Sequence, residues 1–414
     1  MNDQVSIIHA STGQEIAAQL PAALEPFHNL FPADRNARIL LKPNLNSNMT
    51  ALTGNTTDLR LLGAVIAHLR ERGYTSITIG EGTNSGFYRC KIGVIARLGI
   101  DRLAKYYGVR VVDLNYAEQV EIPFKNGVMA GVAKECLEAD FFINLPKFKT
   151  HFEVGMSVCL KNLIGCLVGQ ENKKKTHDDL PENILRLNRA VQPHLQIIDA
   201  LVAMEGLGPT RGTPIRLDTV LIGTDPYLLD LCCCQIAGFD YRTIRTLHLA
   251  EQQGLLPPSL VSKAKEITAS FSARPLQAAR PGPIAAYIHH PSRQRLFLKI
   301  RNTPVFTYLA STRWFGHLLF LTGLRQDVFL QDEMTMEVLW VDSDRCNRCG
   351  VCRDVCPIDL PLPDGIAASR NCLKCLYCYS ACPEQAIKLV GEQGYFAEQE
   401  RQYGPLIRSL FRSK

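Results

Sequence analysis

The sequence predicts an α/β fold: a mainly parallel sheet sandwiched by helices, followed by a small α+β module. Short apolar runs alternate with helix-length amphipathic stretches over residues 1–270. These runs are β-rich and nearly continuous, as in parallel strands buried on both faces. After residue 340 the composition changes to two dense cysteine runs.

The elements follow in order. ARILL (37–41) is a strand. LRLLGAVIAHLRERG (59–73) is a helix closed by Gly73, and SITIGEG (76–82) is a strand. IGVIARLGIDRLAKYYG (92–108) reads as one helix and VRVVDLN (109–115) as a strand. DFFINL (140–145), LQIIDA (195–200) and DTVLIG (218–223) are strands, and PYLLDLCCCQIAG is a buried helix. The large domain is expected to span 1–270 and to pack in three layers. Residues 271–292 hold four prolines and read as a linker. VFTYLASTRWFGHLLFLTGL (305–324) is an apolar helix. Arg313 and His317 in its middle argue against a membrane span, since Arg there costs about 3 kcal/mol. A helix packed on protein is expected, with contact to a membrane surface as the lesser alternative. The linker and this helix fill 271–335 and the cysteine module 336–392. A basic amphipathic tail, 393–414, is expected to dock on the domain.

Apolar content is 46%, charged content 21% and net charge +6. A mild excess of positive charge without a long basic run suits an anionic ligand and offers no support for nucleic acid. The N-terminus, MNDQVSIIHA, has no basic n-region and no long apolar core, so the cytoplasm is expected. Fifteen cysteines in a reducing compartment point to metal rather than disulfides.

CNRCGVCRDVCP (346–357) and CLKCLYCYSACP (372–383) both read C-x2-C-x2-C-x3-C-P. Three thiolates of each run suit one [4Fe–4S] cube, and the fourth ligates the other. Cluster I takes Cys346, Cys349, Cys352 and Cys382; cluster II takes Cys372, Cys375, Cys378 and Cys356. The alternative, zinc, typically uses two C-x2-C pairs. The module resembles bacterial dicluster ferredoxins over about 40 residues. Of the other cysteines, Cys232–Cys234, Cys136, Cys159 and Cys166 suit core packing, and Cys90 an exposed thiol.

Ligands of open parallel sheets bind beyond the carboxyl ends of the strands. Those ends carry Lys42-Pro43-Asn44, Glu81-Gly82-Thr83-Asn84, Pro146-Lys147-Phe148-Lys149-Thr150-His151, Met204-Glu205-Gly206 and Thr224-Asp225-Pro226. If the chain stays extended past Pro146, Lys147, Lys149 and His151 point to one side. The bland alternatives are solvated lysines, a structural histidine, turn anchors at Glu81 and Glu205, and caps or turn residues at Asp199 and Asp225. His177 lies in KKKTHDD, which reads as a charged loop.

KPN (42–44), NLPKFKTH (144–151), LKNLIG (160–165), His177, IIDALVAMEGLGPTRG (197–212) and TDPYLLDL (224–231) together resemble the DUF362 family over roughly 35–270. That resemblance implies a shared pocket of Lys42, Asn44, Lys147, Lys149, His151, Lys161, Asn162, His177 and Glu205. Phe148 stands where a smaller aliphatic residue is expected, with an effect on pocket shape. Clustered lysines attract a carboxylate or phosphate and depress one another's pKa values. Histidine or lysine can deliver protons. No G-x-G-x-x-G or P-loop supports nucleotide use. The expectation is a reductase passing electrons from two [4Fe–4S] clusters, fed by a redox partner, to an anionic organic substrate. Two alternatives are an electron-transfer or metallocofactor-assembly protein and a non-redox acid/base enzyme with structural clusters.

Overall fold

A computed structural model describes residues 4–83, 93–271, 274–280, 333–366 and 370–412, with shorter stretches between 282 and 322. The apolar runs form strands where expected: β1 (Val5–His9), β2 (Ile39–Pro43), β3 (Ile77–Glu81) and β4 (Arg110–Asp113). β5 (Gln119–Pro123) and β6 (Met129–Ala133) make a separate antiparallel hairpin. β7 (Phe141–Leu145), β8 (Lys147–His151), β9 (Gly155–Ser157), β10 (Leu195–Glu205) and β11 (Thr213–Gly223) complete the large domain.

The main sheet runs β1-β11-β10-β7-β2-β3-β4, with β8 paired to β10 and β9 to β8. β4, β3, β2, β7 and β10 are parallel, so their carboxyl ends share one edge. β11 is antiparallel to β10 and β1. The expectation that Thr224–Pro226 joins the shared edge is therefore wrong: this turn lies at the opposite end. There Asp225 caps the following helix, accepting from the Tyr227 and Leu228 N–H groups. An apolar run reads the same in either direction, so its pattern does not carry strand polarity.

Both faces of the sheet are covered. Ile39, Leu41, Ile143 and Ile197 pack beneath α1 (Gly13–Leu24) and α2 (Leu59–Glu71). Ile198, Ala200 and Leu221 pack on the other face against helix Pro226–Ala237, whose Cys232, Cys233 and Cys234 are buried in that core. Phe148 belongs to this second core. It points away from Lys147 and Lys149, so the expected effect on pocket shape does not arise.

The cysteine module is a two-stranded sheet, β12 (Val338–Val341) against β13 (Ile387–Val390), around two cysteine loops. The loops repeat every 26 residues in conformation as well as in sequence. Arg348 and Lys374, Gly350 and Leu376, Asp359 and Gln385 all have positive φ. Cys352, Cys356, Cys378 and Cys382 belong to the same apolar core as Ile39 and Leu61. The module thus forms part of the layer over one face of the sheet. The tail docks as expected: α3 (Tyr395–Phe411) buries Tyr395, Phe396, Tyr403, Ile407 and Phe411. Tyr403 Oη donates to Thr210 O at 3.1 Å, and Arg216 donates to Leu410 O at 3.2 Å.

Two stretches differ from expectation. Residues 94–107 form two helices, Val94–Arg97 and Ile100–Tyr107, broken at Gly99 with φ +76°. A Cβ on Gly99 would lie 2.7 Å from Leu373 O, so the break lets the cysteine module approach. In the 305–324 stretch, helix Pro304–Ser311 leaves Val305 and Tyr308 69% and 72% exposed. These two side chains do not pack on protein as expected. No described helix is long and apolar enough to cross a membrane. Asn84, Cys90, Arg313 and His317 lie outside the described residues.

Gly99→Ala is expected to destabilise the protein by about 1–3 kcal/mol. Gly254→Ala is the control: φ is +73° there, with nothing within 4 Å of the added Cβ. Urea unfolding should show a larger loss at Gly99, and equal losses would remove the role given to the Leu373 contact.

Candidate functional site

Beyond Pro146 the chain does stay extended, as β8, so Lys147, Lys149 and His151 share one side. All three are almost fully buried. Each meets a different partner. Lys147 Nζ lies 2.9 Å from Asp199 Oδ2, with both side chains excluded from solvent. The same oxygen accepts from the Asp58 N–H at 2.6 Å, and Asp199 Oδ1 accepts from Leu201 N–H. Asp199 is therefore a buried network carboxylate within β10, not a cap or turn residue. Lys149 Nζ donates to Asn44 Oδ1 at 2.9 Å and to Asn55 O at 2.7 Å.

Lys42, at the end of β2, pairs with Glu81 at 2.9 Å. Glu81 also accepts from Leu45 N–H. Gly165 lies against this pair: a Cβ there would stand 1.8 Å from Glu81 Oε1 and 2.8 Å from Lys42 Nζ. Asn162 links the strand ends, with its Oδ1 accepting from Asn44 Nδ2 and its Nδ2 donating to Asn144 Oδ1 and Lys42 O. Lys161 is presented by the short helix Cys159–Asn162, whose first N–H groups donate to Asp230.

The helix Gly169–Thr176 carries the run of three lysines, Lys173–Lys175. It continues into a 3-10 turn at His177–Asp179, so KKKTHDD is helical and not the charged loop expected. Its Lys173 reaches Thr83 O at 3.0 Å and also Asn115 Oδ1. His177 Nδ1 lies 3.4 Å from Glu153 Oε2. His151 Nδ1 accepts from Glu153 N–H at 3.1 Å, which leaves the ring proton on Nε2.

The structure thus gathers Lys42, Asn44, Lys147, Lys149, His151, Lys161, Asn162 and His177. It does not gather Glu205. That carboxylate holds Arg274 through two bonds of 2.6 and 2.9 Å and accepts from Gln277 N–H, anchoring 274–277 to the end of β10. Sequence reasoning missed Lys173, Glu153 and the network role of Asp199. Lys173 opens a run of three lysines, and nothing local separates it from its solvated neighbours. Glu153 carries no motif.

Among the described residues, Lys149, Lys161 and Lys173 have no carboxylate within ion-pair distance. Burial, then the charges of Lys161 and Lys147, hold the Lys149 amine well below its usual value. Burial brings Lys161 down to about 8 against Glu153, and Lys173 to about 8 against Glu81. Burial, then Lys161, keeps His151 well below its ordinary value, so its ring is a neutral Nε2–H donor. Burial raises Asp199 against the pull of Lys147. The edge can hold an anion and offer it neutral donors.

Two small cavities lie within the cysteine loops. One is lined by Cys346, Cys349, Cys352 and Cys382, the other by Cys356, Cys372, Cys375 and Cys378. These are the crossed sets expected from spacing. Among the described residues no group of three or more His, Cys, Asp or Glu is placed to hold a single metal ion. Four thiols line each cavity, a donor set that would suit a [4Fe–4S] cube. Ala386 N–H donates to Cys382 Sγ at 3.2 Å. Such donors tune a cluster's potential.

Residues 39–235 match the family model described as domain of unknown function (DUF362). Residues 339–360 match the 4Fe-4S binding domain model. Most of the large domain is thus similar to DUF362. The Thylakoid-associated protein sll1697 of a Synechocystis species is 29% identical over 278 residues, 62% of this chain and 81% of that protein. The lactate racemase apoprotein of Thermoanaerobacterium thermosaccharolyticum aligns with a TM-score of 0.39 at 13% identity, over 56% of this chain and 57% of that one. A Thermotoga maritima protein aligns with 0.30 at 15%, over 49% and 53%. The chain spans little more than half the length of these two solved structures.

The large domain and the iron–sulfur module meet beside the lysine edge. Tyr377 Oη accepts from Leu59 N–H at 3.3 Å, at the start of α2. The neighbouring Asp58 is close enough for its charge to act on Cys375. Asp58 clasps Arg60 at 3.0 and 2.8 Å, and its N–H donates to Asp199. Asp199 holds Lys147. A continuous run of bonded groups therefore joins the Cys356/Cys372/Cys375/Cys378 cavity to the lysine edge.

Two results are expected. Lys147→Met removes the cation beside buried Asp199 and should cost about 3–5 kcal/mol in chemical denaturation; a loss below 1 kcal/mol would contradict the network. Lys161, half free amine near pH 8, should be acetylated by acetic anhydride at that pH faster than exposed Lys263, as read by mass spectrometry. Its charge is present below pH about 8, so binding of an anion should weaken as pH rises through that value.

Proposed function

We propose that the crossed cysteine sets hold two [4Fe–4S] clusters and that the chain is an iron–sulfur reductase acting on an anionic organic substrate. The net reaction is a two-electron, two-proton reduction of one substrate bond. Bound, each cluster supplies one electron at a time. The observation that carries this proposal is the bonded run from Tyr377 and Asp58 through Asp199 to Lys147.

The chain's own residues have separable tasks. Lys161 attracts the anion, since it has no carboxylate of its own among the described residues and stays charged below about pH 8, and Lys149 adds a buried amine donor beside it. His151 donates from Nε2 as a neutral ring. His177 is 38% exposed beside Glu153, so it can exchange protons with solvent and pass them inward. Cys349 is the exposed thiol of its set, and a redox partner docks on that side. A reducing compartment, the cytoplasm, suits fifteen cysteines used as ligands and core residues.

Anaerobically purified protein should carry about eight irons per chain. About four would leave one cluster, and stoichiometric zinc without iron would remove the redox role. Metabolite profiling should compare wild type with Lys161→Met, since Lys147 variants confound function with stability. An anionic metabolite should accumulate in the variant and be consumed by the reduced wild-type protein. No change in any metabolite would favour an electron-transfer or cofactor-assembly protein whose large domain binds a partner.

A further inference from the structure

Gln170 is 5% exposed, and neither its Nε2 nor its Oε1 has a hydrogen-bond partner among the described residues. A buried primary amide left with both ends unpaired is unusual, because each unmade bond costs stability. The same helix satisfies its other buried amide: Asn172 Nδ2 donates to Gln119 Oε1 and Val168 O.

Position along the helix Gly169–Thr176 gives Gln170 a direction. Lys173 and His177 follow it by three and seven residues, so all three lie on one face. Lys173 reaches Thr83 O beside Glu81 and Lys42, and a Cβ on Gly82 would stand 2.8 Å from its ammonium. His177 meets Glu153, which is next to His151. The face that carries Gln170 is therefore the face turned to the lysine edge. Asn172 lies on a different face and is bonded to the β5–β6 hairpin and its own helix.

We propose that Gln170 is a specificity-determining residue that reads a paired donor and acceptor on the substrate. The substrate is then an anion that also carries an amide or lactam edge, its C=O accepting from Nε2 and its N–H donating to Oε1. This rests on the anion pocket proposed above and adds the second half of the ligand. A carboxylate alone satisfies the lysines but cannot donate to Oε1. A site built to hydrogen-bond a polar group discriminates strongly against an isostere that lacks it.

The test uses the full-length, cluster-loaded protein and two matched pairs of acids of different size. One pair is pyroglutamate and cyclopentanecarboxylate; the other is 4-carbamoylbenzoate and 4-isopropylbenzoate. Binding is read by calorimetry and by protection of Lys161 from acetylation. Wild type should bind the amide member of at least one pair tenfold or more tightly than its partner. Gln170→Leu should bring the two within about twofold while keeping carboxylate binding. It should also melt at a higher temperature than wild type, because an apolar side chain replaces two unsatisfied atoms. A structural role predicts the reverse, a lower melting temperature with the preference intact, and that result overturns the proposal. Gln170→Met is the second variant should leucine fail to fold. Equal binding of both members by wild type also overturns it, leaving the anion pocket standing. If no acid of either pair binds wild type, the anion pocket falls and the proposal with it.

Discussion

Asp199 sits in the middle of β10 with no access to solvent. One of its oxygens accepts from the Lys147 ammonium and from the Asp58 N–H, at 2.9 and 2.6 Å. A buried carboxylate is tolerated only when its lone pairs are met and its charge is balanced. Here the balancing cation comes from β8 and the backbone donor from the cap of α2. The bulge in β10 after Ala200 leaves the Leu201 N–H free to bond the other oxygen. Meeting this one group fixes the strand after Pro146, the start of α2 and the position of Tyr377 on it.

The same constraint sorts the lysines. Lys42 and Lys147 are neutralised by Glu81 and Asp199 and hold the architecture together. Lys149 and Lys173 end on amide and carbonyl oxygens, and Lys161 has no carboxylate within ion-pair distance among the described residues, so these three are not committed to a buried ion pair. Five similar side chains at one sheet edge divide into two kinds, and residue type alone does not separate them.

Much of this was legible in the chain. Continuous apolar runs marked the buried strands, and the cysteine spacing marked two crossed thiol sets, because three thiols from one tight loop cannot close a four-iron cube alone. Alternation after Pro146 put Lys147, Lys149 and His151 on one side. The rest depended on distance along the chain. Asp199 finds its partners 52 and 141 residues away, and no local pattern encodes such a pairing. The family resemblance put Glu205 in the pocket, yet Arg274 from the following segment claims it, and the carboxylate is an anchor. The direction of β11 was hidden because hydrophobic pattern carries no polarity. Gln170 had no signal at all, since an unmet hydrogen bond exists only in three dimensions.

Gly99 breaks its helix so that Leu373 can approach, and the module's cysteines share a core with Ile39 and Leu61. In evolutionary terms the iron–sulfur segment is not a cassette. A ferredoxin recombined from another gene would arrive with no counterpart to Leu373 or Tyr377 and would expose the apolar face they cover. Loss of the segment by truncation would likewise strip the sheet of part of its outer layer. A bulkier residue on one side of the seam, as at Gly99, therefore has to be matched by a shift on the other, as at Leu373.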